Sequence, residues 1–132
     1  MHIAINAFFW NQPFTGSGQY TRQLVTHLIR YVSDLQIPLV FPQSEGTDPP
    51  KEGPTGVAVC SIPNRGGHIG KTFFEQFQFP RACRELGVDL AHIPYWGNSL
   101  QSFIPQVVTV HDLTTILVPE YRRTVQARAY NA

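Results

Sequence analysis

Four stretches of the chain carry side chains able to do chemistry. In "VVTVHDLT", residues 107–114, an uncharged β-favouring run leads straight into His111 and Asp112. An imidazole beside a carboxylate can move a proton or hold a polar group near neutral pH. The plainer reading is a structural histidine next to an aspartate that caps a turn. In "PFTGSGQYTRQL", residues 13–24, Gly16, Ser17 and Gly18 offer a permissive turn and exposed amides at a helix start. The partial positive charge there favours phosphate by roughly 0.3–1 kcal/mol. The same residue types also make an ordinary helix cap, with Thr15 or Ser17 as the capping side chain.

The other two stretches are "PYWGN", residues 94–98, and "RGGHIGKT", residues 65–72. Tyr95 and Trp96, with His92 just before them, could lay a ring against a sugar or simply pack a loop. "RGGHIGKT" approaches the phosphate-wrapping pattern G-x-x-x-x-G-K-[ST], but Gly66 and Gly70 enclose three residues and Arg65 stands where the first glycine belongs. That shifts the register by one residue, and Lys71 and Thr72 read instead as part of a helix opening. A dinucleotide fingerprint at residues 13–24 is also poor, since Thr21 holds the last small position and the turn from the preceding strand is long.

These residues need elements to position them. "IAINA" (3–7), "IPLVF" (37–41), "VAVCSI" (57–62), "VDLAHI" (88–93) and "VVTV" (107–110) read as short buried strands. Between the first two, Tyr20, Leu24, Leu28, Tyr31 and Leu35 recur at helical spacing. Between the third and fourth, Phe73, Phe74 and Phe77 supply an apolar helical face, Pro80 predicts a kink, and Gly87 suits the position just past the helix end. Residues 42–56, dense in Pro and Gly, read as a surface loop, and a further helix is expected from Glu120. The order β-α-β-β-α-β-β with uniformly apolar strands predicts an α/β fold: a Rossmann-like, mostly parallel sheet with helices on both faces. In such sheets ligands gather outside the carboxyl ends of the strands, where His92, Tyr95, Trp96, His111 and Asp112 all fall.

With 132 residues, 42% apolar residues and a formal charge of +1, the chain fits one globular domain and has no broad basic footprint for nucleic acid. Cys60 and Cys83 lack the spacing of a metal or redox pair and read as buried thiols in a reducing compartment. No run reaches the length of a membrane span and "MHIAINAFFW" does not read as a leader, so a cytoplasmic protein is expected.

Taken in order, "HIAINAFFW", "TGSGQYTRQL", "FFEQFQFPRACRELGVDLAHIPYW", "IPQVVTVHDLT" and "VPEYRR" resemble the amino-terminal domain of retaining, metal-independent, nucleotide-sugar glycosyltransferases of the GT-B type, family 4. The resemblance spans nearly the whole chain. It implies two Rossmann-like domains facing across a cleft, with residues 1–132 as a partial, acceptor-side first domain and the donor-binding domain, which bears an E-x7-E motif, outside them. It implies that Gly16, Ser17 and Gly18 approach the donor phosphates, that His111 faces the donor sugar with Asp112 beside it, and that Tyr95 and Trp96 lie on the acceptor side.

The implied reaction moves a sugar from a nucleotide diphosphate to a hydroxyl acceptor with retention, without a cofactor or metal. The implied partners are a nucleotide sugar and a carbohydrate or lipid-linked acceptor, not nucleic acid; a peripheral membrane contact and self-association of the fragment stay open. Residues 1–132 alone are expected not to turn over, because positioning two substrates supplies roughly 7–11 kcal/mol of a barrier and needs both walls of the cleft. Two rivals remain: a non-enzymatic Rossmann-like module binding an anion or nucleotide, and a P-loop-like phosphotransferase.

Overall fold

Ile3–Asn6 forms β1, the central strand of a five-stranded, wholly parallel sheet in the computed structural model, which describes residues 1–44, 54 and 57–118. The remaining strands are β2 (Leu39–Gln43), β3 (Val59–Pro63), β4 (Leu90–Ile93) and β5 (Gln106–Val108), in the order β3-β2-β1-β4-β5. Parallel neighbours need crossovers. β1 reaches β2 through α1 (Gly16–Tyr31), and β3 reaches β4 through α2 (Gly67–Phe73), a π-helical stretch (Phe74–Gln78) and α3 (Phe79–Glu85). A short α4 (Thr114–Leu117) follows β5. The α/β, Rossmann-like reading of the sequence is therefore the observed fold. The helix expected from Glu120 lies outside the described residues, as does most of the expected loop over 42–56.

The alternation of β1 divides the core between the two faces. Ile3, Ile5 and Ala7 pack with Val25, Leu39 and Phe41 under α1, whereas Ala4 packs with Val40, Phe74, Phe79, Ala82 and Ile93 under the second helical run. Asn6 ends the strand: it is wholly buried, and its Oδ1 accepts the Phe8 N–H at 3.0 Å.

Three expectations need correction. The first concerns α1, whose buried stripe is Gly18, Thr21 and Val25, with Leu28 and Ile29 beside it, while Tyr31 is exposed and stacks on His27. Thr21 tolerates full burial because its hydroxyl donates to Ser17 O at 2.7 Å. The second concerns the phenylalanine face. Phe74 and Phe79 are buried, and Phe73 and Phe77 are half exposed.

The π-helical turn explains that shift. Its i→i+5 geometry, with Phe79 N–H donating to Phe74 O, brings residues five apart to one face and sets the two rings 6.1 Å apart. Pro80 sits in the first turn of α3 and has no N–H for Gln76 O; that carbonyl accepts Ser99 Oγ–H at 3.1 Å instead. At the far end Gly87 takes φ 61°, with Gly87 N–H bonded to Arg84 O and Val88 N–H to Cys83 O, closing the helix as the sequence predicts.

The third correction is to the last strand. Val107–Val110 reads as a central strand, but β5 is three residues long and stands at the edge of the sheet among the described residues, with Val107 45% exposed. Thr109 N–H still donates to Ile93 O at 3.0 Å, so the chain stays beside β4 for one more residue before it turns out.

Both cysteines are free thiols; Cys83 is buried and Cys60 half-buried. Burial pushes the Cys83 thiol up to about 12, which makes it a packing residue and not a nucleophile. No helix among the described residues is long and apolar enough to cross a membrane.

Candidate functional site

The strand order places the topological switch between β1 and β4, since the chain runs outward from β1 toward β3 and from β4 toward β5. A cavity of about 250 Å³ opens there, lined by Phe9 and Ser17 from after β1, Tyr95 and Trp96 from after β4, His111 and Asp112 from after β5, and Lys71 from α2. Five of the residues singled out in the sequence thus share one cavity. A second hollow, of about 300 Å³ between α3 and the loop over residues 99–104, is lined by none of them.

The first wall is set by how residues 7–15 fold. Successive turns bond Trp10 N–H to Ala7 O, Gln12 N–H to Phe9 O and Thr15 N–H to Gln12 O. Arg22 fastens this loop to α1 by donating to Trp10 O at 2.8 Å while its guanidinium lies over the Trp10 ring. Thr15 is the helix cap: its hydroxyl donates to Gln12 O and accepts Gly18 N–H at 3.1 Å.

The two glycines therefore differ. A Cβ on Gly18 would strike the Gln12 and Phe9 carbonyls, so this glycine is there for close packing, and its amide is spent on the cap. Gly16 has open space around it, and the amides of Gly16 and Ser17 lack partners within their own helix by position. Gly18→Ala should cost about 1–3 kcal/mol through overpacking against backbone, while Gly16→Ala should leave stability unchanged or slightly raised. Urea unfolding midpoints of the two variants check this directly.

The third wall carries the histidine. His111 Nε2–H donates to Pro94 O at 2.9 Å, which ties the loop after β5 to the loop after β4 and fixes the tautomer. Nδ1 is then the nitrogen left for a ligand, an acceptor on the neutral ring and a donor on the cation. The Tyr20 ring meets the imidazole edge-on at 4.8 Å, and the Tyr20 hydroxyl lies 3.3 Å from Thr109 Oγ1, itself 3.0 Å from His92 Nε2. Asp112 lines the cavity and also caps its own turn, Oδ1 accepting Thr114 N–H at 2.9 Å, which is the plainer of its two sequence readings.

His92 packs under α1 instead of lining the cavity, and burial lowers its pKa from the ordinary value of 6.5. A depressed histidine makes the unfolded chain bind more protons, so stability is full above the unfolded value and is lost as pH falls below it. Acidification from pH 7 to 5 should therefore destabilise the native chain more than it does His92→Gln, as read from unfolding free energies at each pH. Glu75 acts in the opposite sense: burial raises its carboxyl, so its contribution weakens as pH rises. Comparison with the variant isolates the His92 part.

Sequence reasoning missed the middle of the cavity. Lys71 and Thr72 lie in α2, as the helix opening expected there requires, and Lys71 reaches the cavity with its ammonium 2.5 Å from Glu75 Oε1, 5.1 Å from the Tyr95 ring centre and 5.6 Å from that of Phe8. Glu75 is 3% exposed. Burial raises its pKa, and the Lys71 charge and the Lys71 and Tyr95 hydrogen bonds pull it back. Gly97, at φ 146°, makes room for this carboxylate, since a Cβ there would lie 2.6 Å from Glu75 Oε1. The visible signal was the i,i+4 spacing of Lys71 and Glu75 among aromatic residues.

Among the described residues no group of three His, Cys, Asp or Glu side chains is placed to hold a metal ion. No protein-family model, curated protein or solved structure matches this chain.

Proposed function

We propose that this cavity is the first-domain wall of a retaining glycosyl-transfer site, taking a nucleotide-diphosphate sugar as donor and a hydroxyl compound as acceptor. The observation that carries the reading is the convergence of Ser17, Tyr95, Trp96, His111 and Asp112 on one cavity at the switch point of a 3-2-1-4-5 parallel sheet. The ordered resemblance of the corresponding sequence stretches to family 4 transferases supports the same reading.

In this reading the amides of Gly16 and Ser17 at the start of α1 favour charge growing on the departing diphosphate. His111, with Nε2–H held by Pro94 O, presents Nδ1 to the donor sugar's polar groups. Trp96 and the Tyr95 ring shape the acceptor side. Binding at one wall orients one substrate only, so residues 1–132 alone should give no measurable transfer.

The test uses a polypeptide carrying both walls of the cleft, a panel of α-configured nucleoside-diphosphate hexoses and simple polyol acceptors, with the anomeric proton of the product followed by NMR. An α-linked product that requires the acceptor is the expected result. A β-linked product overturns the retaining assignment. Saturable donor binding without transfer to any acceptor would favour the non-enzymatic anion-binding module instead.

A further inference from the structure

An ion pair as enclosed as Lys71–Glu75 seldom adds net stability, because desolvating two charges offsets their attraction; replacing such a pair by apolar side chains is often neutral or better. Its position in this fold is therefore informative. Glu75 is nearly inaccessible, Lys71 keeps 17% of its side chain exposed, and Lys71 lines the cavity. The ammonium is ion-paired with the Glu75 carboxylate and lies against the Phe8 and Tyr95 rings, which add cation–π attraction without any charge of their own. Tyr95 belongs to the side of the cavity assigned above to the acceptor. The other charged side chain of the lining, Asp112, comes from the loop after β5 and is anionic.

A cavity with a fixed cation on one element and a fixed carboxylate on another selects a ligand that is itself polarised. A plain hexose has no group that needs the ammonium. A doubly ionised phosphate ester does, and lysine is well suited to phosphate as a compact point charge. The Asp112 carboxylate repels the same group and accepts hydrogen bonds from hydroxyls, so a phosphorylated polyol is bound in one orientation.

We propose that Lys71 is the residue that recognises an anionic acceptor, and that the acceptor is a sugar or polyol carrying a phosphate ester, with Glu75 a positioning residue that aims the ammonium. This rests on the transferase reading of the cavity and narrows its substrate class.

The experiment titrates the 15N-labelled chain with glucose 6-phosphate, glucose, inorganic phosphate and UDP, following the Trp96 indole and the Tyr95 and His111 amides. Glucose 6-phosphate should shift these signals at concentrations at least about ten-fold below those needed for glucose. Lys71→Gln should weaken glucose 6-phosphate by about ten- to a hundred-fold and alter the response to glucose far less, so that the phosphate preference shrinks. The double variant K71M/E75Q removes both charges, so its circular dichroism and melting curve should stay near those of the parent while the phosphate preference is lost.

Equal glucose 6-phosphate affinity in parent and Lys71→Gln overturns the inference and leaves the transferase reading standing. A Lys71 dependence seen with UDP and not with glucose 6-phosphate also overturns it, by assigning the lysine to the donor's diphosphate. If none of the four probes, nor a nucleotide sugar, moves the cavity signals, the transferase reading falls and the inference with it.

Discussion

Phe74→Ala is expected to lower the unfolding free energy by about 3–5 kcal/mol, a large share of the roughly 5–15 kcal/mol that holds an ordinary domain together. The Phe74 side chain is fully buried, with ring centres 6.1 Å from both Phe8 and Phe79. Its removal forfeits the transfer free energy of a ring and leaves a void whose walls cannot close. One wall is the sheet, through Ala4, Val40 and Ile93, and another is the π-helical turn that Phe74 itself begins. Because Phe8 also contacts the Lys71 ammonium, the loss should loosen the cavity before the chain unfolds globally. Phe77→Ala is the matched control: the same deletion from a half-exposed ring five residues before Ala82 should cost well under half as much. Urea denaturation of both variants measures the difference.

On the proposed transferase reading, His111→Ala should reduce turnover by about 10²- to 10⁴-fold in a polypeptide carrying both cleft walls, equivalent to about 2.7–5.5 kcal/mol of transition-state stabilisation. The imidazole is tied at Nε2 to Pro94 O and braced by the Tyr20 ring, so Nδ1 has a defined direction before any ligand arrives. Alanine removes the group and the tie together. His111→Gln tests them apart, since a side-chain amide can still donate to Pro94 O but offers no titratable nitrogen. Turnover should stay low in both variants while the melting temperature recovers in the glutamine one. A histidine serving structure alone would give the reverse: a lower melting temperature and unchanged turnover per folded molecule.

The sheet was legible because its signal is local. Four of the five strands are apolar runs bounded by turn residues, and β1, β2, β3 and β4 fall within two residues of the expected spans at their starts. β5 was overestimated, since Thr109 and Val110 favour extended backbone by type but lack a neighbouring strand on their far side among the described residues. The face of α1 was misplaced for a different reason. A polar residue such as Thr21 can be fully buried when its hydroxyl bonds to the preceding turn, and an aromatic such as Tyr31 can remain exposed. The π-helical turn had no recognisable signature, because phenylalanines at 73, 74, 77 and 79 satisfy more than one helical period.

Of the candidate site, His111, Asp112, Tyr95 and Trp96 could be picked out because each follows an apolar run, which in an α/β fold means the carboxyl end of a strand. Their meeting with Ser17 depends on strand order, which no local pattern states. Gly18 is a phosphate candidate by sequence, and the fold adds what the sequence does not state, that it lies against the Phe9 and Gln12 carbonyls with its amide on the Thr15 cap. The burial of Glu75 beside Lys71 has no local signal, because the residues that cover its carboxylate, Tyr95 and Gly97, lie twenty or more positions further along the chain.

The most direct test of a single ligand site built by the loops after β1, β4 and β5 is chemical-shift mapping of the 15N-labelled chain with a nucleotide-diphosphate sugar. The expected result is that Ser17, Trp96, His111 and Asp112 shift together and saturate with one dissociation constant. Shifts confined to the separate hollow beside Phe77 and Phe103, or affinities that differ from loop to loop, would contradict it.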